Sequence, residues 1–224
     1  MRDKYLCEQG IKARYLLNEG AGNTVKDTIN GYDLTITGAI WEKTERGMAL
    51  KFDGVDDYAV CNGTINILPR NLTVVSTVKI LGATVIGAGS FIGVADTTTT
   101  NANATFYVNP ANVAIRSGAN SSSSTESHLT EWLTVVGVFY ASGTGDKNNV
   151  FTNGQLDATL TDSTNFTISK IAIGGTDTSP HFTSNGLINY VAVYQREFTT
   201  RDIQARYAQF RLPGKATKLK KAKI

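Results

Sequence analysis

Three aspartates, Asp53, Asp56 and Asp57, crowd into FDGVDDY and form the densest set of carboxylates in the chain. Carboxylate oxygens suit calcium, but Asp and Gly are equally the residues of tight turns, where they hydrogen-bond the backbone and tolerate unusual dihedrals. Glycoside hydrolysis needs two carboxylates about 5 to 9.5 Å apart, which on a strand means acids at i and i+2 or i+4 facing one cleft. The glutamates are Glu8, Glu19, Glu42, Glu45, Glu126, Glu131 and Glu197. Only Glu42 and Glu45 are close, at a spacing that suits a turn, so no hydrolase is expected. IGAGSFIG, residues 86–93, has the glycines of a phosphate-cradling loop. Such a loop needs a strand before it and a helix after it, and the FIGVADTTTT that follows has strand character. There is no GxSxG, and nothing links His128 or His181 to a nucleophile. Both histidines are expected at the surface. Cys7 and Cys61 stand in no CxxC and read as reduced thiols, with no zinc set available.

The elements that must carry these residues are strands. Met48, Leu50 and Phe52 alternate with Gly47, Ala49 and Lys51, and Leu72, Val74, Val78 and Ile80 share a face opposite Thr73, Thr77 and Lys79 beside Val75. Each predicts a half-buried strand. WLTVVGVFY, residues 132–140, is apolar on both faces, as is 188–194 apart from Asn189, which predicts central strands packed on two sides. Asn153 and Gly154 predict a type I′ hairpin turn. One helix is predicted near residues 200–210, capped by Thr199 with Asp202 three residues on and presenting Ile203, Tyr207 and Phe210. DTTTTNANA (96–104) and SGANSSSSTES (117–127) read as exposed loops or hairpin tips. The fold class is therefore all-β, an antiparallel two-sheet sandwich with a short C-terminal helix.

With 224 residues, 41% hydrophobic and 18% charged, the chain is long enough for a sizeable core without staples. No apolar run approaches the roughly 18 residues of a membrane span, and MRDKYLCEQG has no apolar centre to serve as a signal peptide. Sequons at Asn62, Asn71, Asn103, Asn120 and Asn165 are then accidents of a Thr-rich and Asn-rich chain. Aromatics that could stack on sugars are Tyr32, Trp41, Tyr107 and Tyr140, each of which also suits a core or rim position.

The stretch ARYLLNEGAGNTVKDTINGYDLTITGAIWEKTERGMALKFDGVDDY, residues 13–58, resembles the opening of the LamG-like jelly-roll domains of the concanavalin A-like lectin and glucanase superfamily. Residues 132–140 resemble the family's central strand, FTNGQL (151–156) its hairpin, KIAIGG (170–175) its following strand, and 186–199 its ending, in the family's order over roughly 11–208. The resemblance implies a jelly roll of two curved antiparallel sheets. In relatives FDGVDDY is a tight turn between adjacent strands, which favours a structural role for its aspartates. The superfamily's glucanases carry an E-x-D-x-E or similar strand motif that this chain lacks. Some members bind calcium through an Asp in a loop matched here by Asp27, Asn30 and Gly31 and through a late Asp, matched here by the amide Asn189. No cofactor is required by this reading, and calcium is the one candidate ion.

Relatives of such a fold bind sugars, bind proteins, hydrolyse glycans or decorate assemblies, so function has to be argued from sites. A binding fold with no export signal and no disulfide framework leads to a first expectation of a non-catalytic virion-surface protein, a capsid decoration or tail appendage made in the host cytoplasm. Its partners would be other virion proteins, copies of itself and surface glycans met through its loops, with no membrane insertion. The alternative is a carbohydrate-binding, lectin-like domain of a secreted or cell-surface protein. The organisation expected is a lead segment at 1–10, the sandwich at 11–210 and a basic tail at 211–224. That tail carries Arg211, Lys215, Lys218, Lys220, Lys221 and Lys223 and no acid, whereas residues 1–210 hold 16 basic and 19 acidic side chains. It reads either as a solvated end or as an anchor on an acidic partner such as a capsid shell, nucleic acid being the weaker candidate.

Overall fold

The computed structural model describes residues 8–61, 63, 65–68, 71–82, 90–95, 104–108, 113–117, 120–123, 130–140, 147–161, 170–175 and 185–211. Among the described residues sixteen strands and one helix follow in order: β1 Ile11–Tyr15, β2 Thr24–Val25, β3 Leu34–Thr37, β4 Ile40–Thr44, β5 Gly47–Asp53, β6 Tyr58–Cys61, β7 Leu72–Ile80 and β8 Ser90–Ala95. Then come β9 Ala104–Val108, β10 Val113–Ser117, β11 Asn120–Ser123, β12 Trp132–Phe139, β13 Lys147–Thr152, β14 Gln155–Thr161, β15 Lys170–Ile173, β16 Asn185–Tyr194 and helix α1 Thr200–Phe210. One sheet runs β14-β13-β12-β7-β16-β5-β4, with β1 also on β16; the other runs β11-β10-β9-β8-β15-β6-β3-β2. Every strand pair is antiparallel. No helix among the described residues is long and apolar enough to cross a membrane.

The inner faces of the two sheets meet over Leu34, Leu50, Phe52, Leu72, Val135, Phe139 and Ile173, all fully buried. The two strands read as central, β12 and β16, lie in the same sheet on either side of β7. β7 departs from the expected half-burial, because both its faces are covered. A second apolar cluster on the outer side of this sheet joins Val75 to Val136, Val138, Tyr190, Ala192, Tyr194, Phe198 and Ile203, the last from α1. The helix roofs the outer face. Its buried positions are Ile203 and Arg206, with Tyr207 and Phe210 only partly covered. The apolar periodicity did not mark Arg206, which lies over the Tyr194 ring at 5.1 Å and donates to its hydroxyl. A cation is tolerated there because an aromatic face and hydroxyl replace some of its water. Burial raises the Tyr194 phenol, and the neighbouring Tyr190 adds to the rise.

The helix start is a capping box. Thr199 Oγ1 accepts from the Asp202 amide at 3.3 Å, and Asp202 Oδ2 accepts from the Thr199 amide at 2.9 Å. Arg196 adds two parallel bonds to the same carboxylate, each 3.0 Å. Burial alone would raise the Asp202 carboxyl, but the bonds from Arg196 and Thr199 outweigh it and hold it below the usual carboxylate range. A depressed carboxyl contributes stability above its unfolded pKa of about 3.9 and loses that contribution as pH falls through the folded value. Asp202→Asn is therefore expected to lower stability by about 1 to 2 kcal/mol at pH 7. Urea titrations over pH 2 to 7 should show the gap to the parent protein closing below about pH 4.

Local turns follow the sequence reading. Asn153 and Gly154 have φ of 51° and 82°, as a type I′ turn requires. Asn153 is also tied to β12, its Oδ1 accepting from the Thr134 amide at 3.0 Å. Residues 90–93 of the glycine-rich segment form strand in β8, paired with β9 and β15, as their strand character predicts, whereas residues 86–89 lie outside the described residues. The serine-rich stretch 117–127 is partly strand: Ser117 pairs with Asn120 and β11 forms an edge of its sheet. The FDGVDDY turn does not join paired neighbours. It carries the chain from β5 in one sheet to β6 in the other.

Candidate functional site

Asp27 is buried beside β1, where it bridges to Tyr15. Its Oδ1 accepts from the amides of Arg14 at 2.8 Å and Ile29 at 3.1 Å; its Oδ2 accepts from Asn30 at 2.9 Å and Tyr32 at 3.1 Å. A carboxylate offers about four lone-pair directions, and four backbone donors use them. Asn30 donates its side-chain amide to the Lys12 carbonyl at 2.9 Å, and Gly31, at φ 77°, turns the chain. Asn189, expected as the fourth member, bonds instead to the Thr77 hydroxyl and the Arg46 carbonyl, neither of which belongs to the Asp27 loop. In this arrangement the four residues do not fit calcium. Asp27 organises the loop by collecting amides. Asp27→Ala is expected to destabilise the fold by about 3 to 5 kcal/mol, since each stranded amide costs roughly 1 kcal/mol or more. Thermal melts should give the same loss in calcium and in chelator.

Asp53, Asp56 and Asp57 place one carboxylate oxygen each within 4.8 Å of the others. The buried member, Asp57, accepts from the Asp53 amide at 2.9 Å, and Asp53 accepts from the Val55 amide at 2.8 Å. A Cβ on Gly38 would fall 1.9 Å from Asp57 Oδ1, so the bare glycine gives this carboxylate its space. Gly38 links β3 to β4 across the sheets just as residues 54–57 link β5 to β6. Asp57 thus braces two adjacent crossings. Burial raises its carboxyl, and Asp53 and Asp56 add to the rise against the opposing Asp53 amide.

Aromatic, charged and amide groups gather at the outer face of the helix-covered sheet around Trp132. Trp132 opens β12 opposite Lys79 on β7. The β4–β5 turn, Glu45 and Arg46, reaches across to them. Glu45 Oε1 accepts from the Trp132 indole at 2.9 Å and from Lys79 Nζ at 3.4 Å. The Arg46 guanidinium lies 5.3 Å from the centre of the Trp132 ring and donates to the Phe210 carbonyl, the last residue of α1, at 2.7 Å. Asn189 completes the group by donating to the Arg46 carbonyl at 3.4 Å. Its placement has a backbone cause. The β16–β7 register slips between Ile188 and Tyr190, leaving Asn189 as the extra residue of a bulge, a device that re-aims one side chain. Ser76 Oγ bonds the Tyr190 carbonyl beside it at 2.9 Å.

The chemistry of this patch is balanced. Glu45 supplies an acceptor that is half exposed, Lys79, Arg46 and Asn189 supply donors, and the indole supplies an apolar face with a polar edge. A backbone hydrogen bond at Glu45 is the largest influence on its carboxyl; with the Lys79 and Trp132 bonds it holds the group below the usual range against burial. Burial pulls the Arg46 guanidinium down, and Glu45 opposes that.

In the sequence Trp132 reads as a core residue and Glu45 as a turn residue, so neither points to this patch. The signal that could have found it was the acidic and basic pair at the tip of a short hairpin. The aromatics that the sequence singles out are engaged elsewhere. Tyr32 and Trp41 pack against the inner core, with Trp41 donating to the Gly22 carbonyl at 2.9 Å, and Tyr140 packs under the outer cluster. Cys61 is a buried free thiol. Cys7, His128, His181, the side chain of Tyr107 and the tail lysines Lys215, Lys218, Lys220, Lys221 and Lys223 lie outside the described residues; Arg211 is exposed just after the helix.

No protein-family model and no curated protein matches the chain. Solved structures do. A Trypanosoma rangeli sialidase in complex with 2,3-difluorosialic acid aligns at TM-score 0.70 and 19% identity over 90% of this chain. The match covers 33% of the sialidase, so this chain spans about a third of that enzyme's length. Domain 4 of AbnA, an extracellular arabinanase from Geobacillus stearothermophilus, in complex with arabinotriose, aligns at TM-score 0.64 and 17% identity, covering 87% of this chain and 97% of that domain. Botulinum neurotoxin type C, whose cell entry depends on two ganglioside molecules, aligns at TM-score 0.63 and 13% identity over 93% of this chain and 53% of the toxin chain. At these identities the likeness is one of fold, and the fold is an antiparallel jelly-roll sandwich whose outer face is covered by helix α1.

Proposed function

We propose that this domain is a non-catalytic carbohydrate-binding module of the LamG-like type, acting outside the cell, and that it holds its glycan at Glu45, Arg46, Lys79, Trp132 and Asn189. The supporting observation is the patch itself: a partly exposed indole beside one carboxylate acceptor and three donors, with Glu45 bonded to Trp132 and Lys79, the Arg46 guanidinium over the ring and bonded to Phe210, and Asn189 bonded to the Arg46 carbonyl. A sugar ring presents C–H faces that suit an aromatic surface and hydroxyls that need both donors and acceptors. Groups already fixed before the ligand arrives lose less entropy on binding. The arabinotriose held by one structural neighbour and the gangliosides used by another agree with this reading. No observation in the fold favours the virion-surface reading. The test is a screen of the full chain on immobilised neutral and acidic oligosaccharides. Retention on at least one sugar class, abolished by Trp132→Ala, is the expected result; a chain retained on none would overturn the proposal.

A further inference from the structure

Asn148 lies fully buried on the inner face of β13, yet neither its Oδ1 nor its Nδ2 has a hydrogen-bond partner within the protein. Its cross-strand neighbours are Phe139 on β12 and Leu160 on β14, and Val150 follows it on the same face. All three belong to the inter-sheet core. Four residues along, Thr152 is also buried with an unpartnered Oγ1. A carboxamide brings two donors and an acceptor with two lone pairs, and native interiors rarely leave such a group unsatisfied. An apolar residue would continue the inward alternation of this strand at lower cost, so the amide needs a polar guest. We infer that Asn148 binds ordered internal water between the sheets, at the edge where β10 and β11 lie against β13 and β14. Water is the guest that fits a site offering both a donor and an acceptor and having no charge to match. Water held there exchanges with solvent only when this edge opens, so its residence time reports the breathing of the sandwich.

The test uses the full chain. A crystal structure at high resolution should show density about 2.7 to 3.2 Å from Asn148 Oδ1 or Nδ2. Water-relaxation dispersion should count at least one more long-lived water in the parent protein than in Asn148→Leu. An Asn148 amide bonded to another protein group, or bare of density, would overturn the inference whether or not the leucine variant folds.

Discussion

Gly174→Ala should cripple the fold. Gly174 follows β15 at φ 80°, and a Cβ built on it would lie 2.0 Å from Phe52 Cε1, well inside any real carbon contact. Phe52 is a fully buried ring on the facing sheet, so the added methyl must drive the ring off its rotamer or push the sheets apart. Overpacking costs about 1 to 3 kcal/mol, and a left-handed non-glycine residue adds roughly 1 to 2 kcal/mol. Their sum, about 2 to 5 kcal/mol, is a large part of ordinary domain stability. Urea unfolding should show the midpoint falling by about 1 M or more. Phe52→Leu in the same chain should recover part of the loss, because the two positions share one space. An unchanged midpoint for Gly174→Ala would refute this packing.

Trp132→Ala should lower glycan affinity by about 10- to 100-fold or more, which is roughly 1.4 to 2.8 kcal/mol or more. The indole gives the patch its only apolar face and holds Glu45 through its N–H. Removing it also takes away the surface over which Arg46 lies. Trp132→Phe keeps a ring but not the indole donor, so it should bind between the two. Because Trp132 sits at the start of β12 and is partly exposed, circular dichroism should show both variants folded. A Trp132→Ala chain that binds as tightly as its parent would remove the indole from the site.

The fold was legible in the sequence where short-range physics decides. The Asn153–Gly154 turn, the two-sided apolar runs of β12 and β16, and the Thr199–Asp202 cap each depend on residues a few positions apart. What long-range packing decides was less visible. The burial of Thr73 comes with its bonds to the Arg196 carbonyl and the Phe198 amide, more than 120 residues later. Arg206 is core because Tyr194 receives it. The site depends on a bulge at Asn189 and on a hairpin tip crossing the sheet to reach Trp132, and neither leaves a local pattern. Asp27 shows the opposite error: its residue type suits a metal, but only the folded loop reveals four amides already on its oxygens.

Glycan binding at Trp132 is open to direct observation by NMR. A titration of the full, isotope-labelled chain with the best oligosaccharide from the panel, followed by NMR, tests it directly. Saturable shifts are expected at the Trp132 indole N–H and the Asn189 side-chain amide, with the Asn30 side-chain amide unmoved; saturable shifts confined to other residues would contradict binding at Trp132.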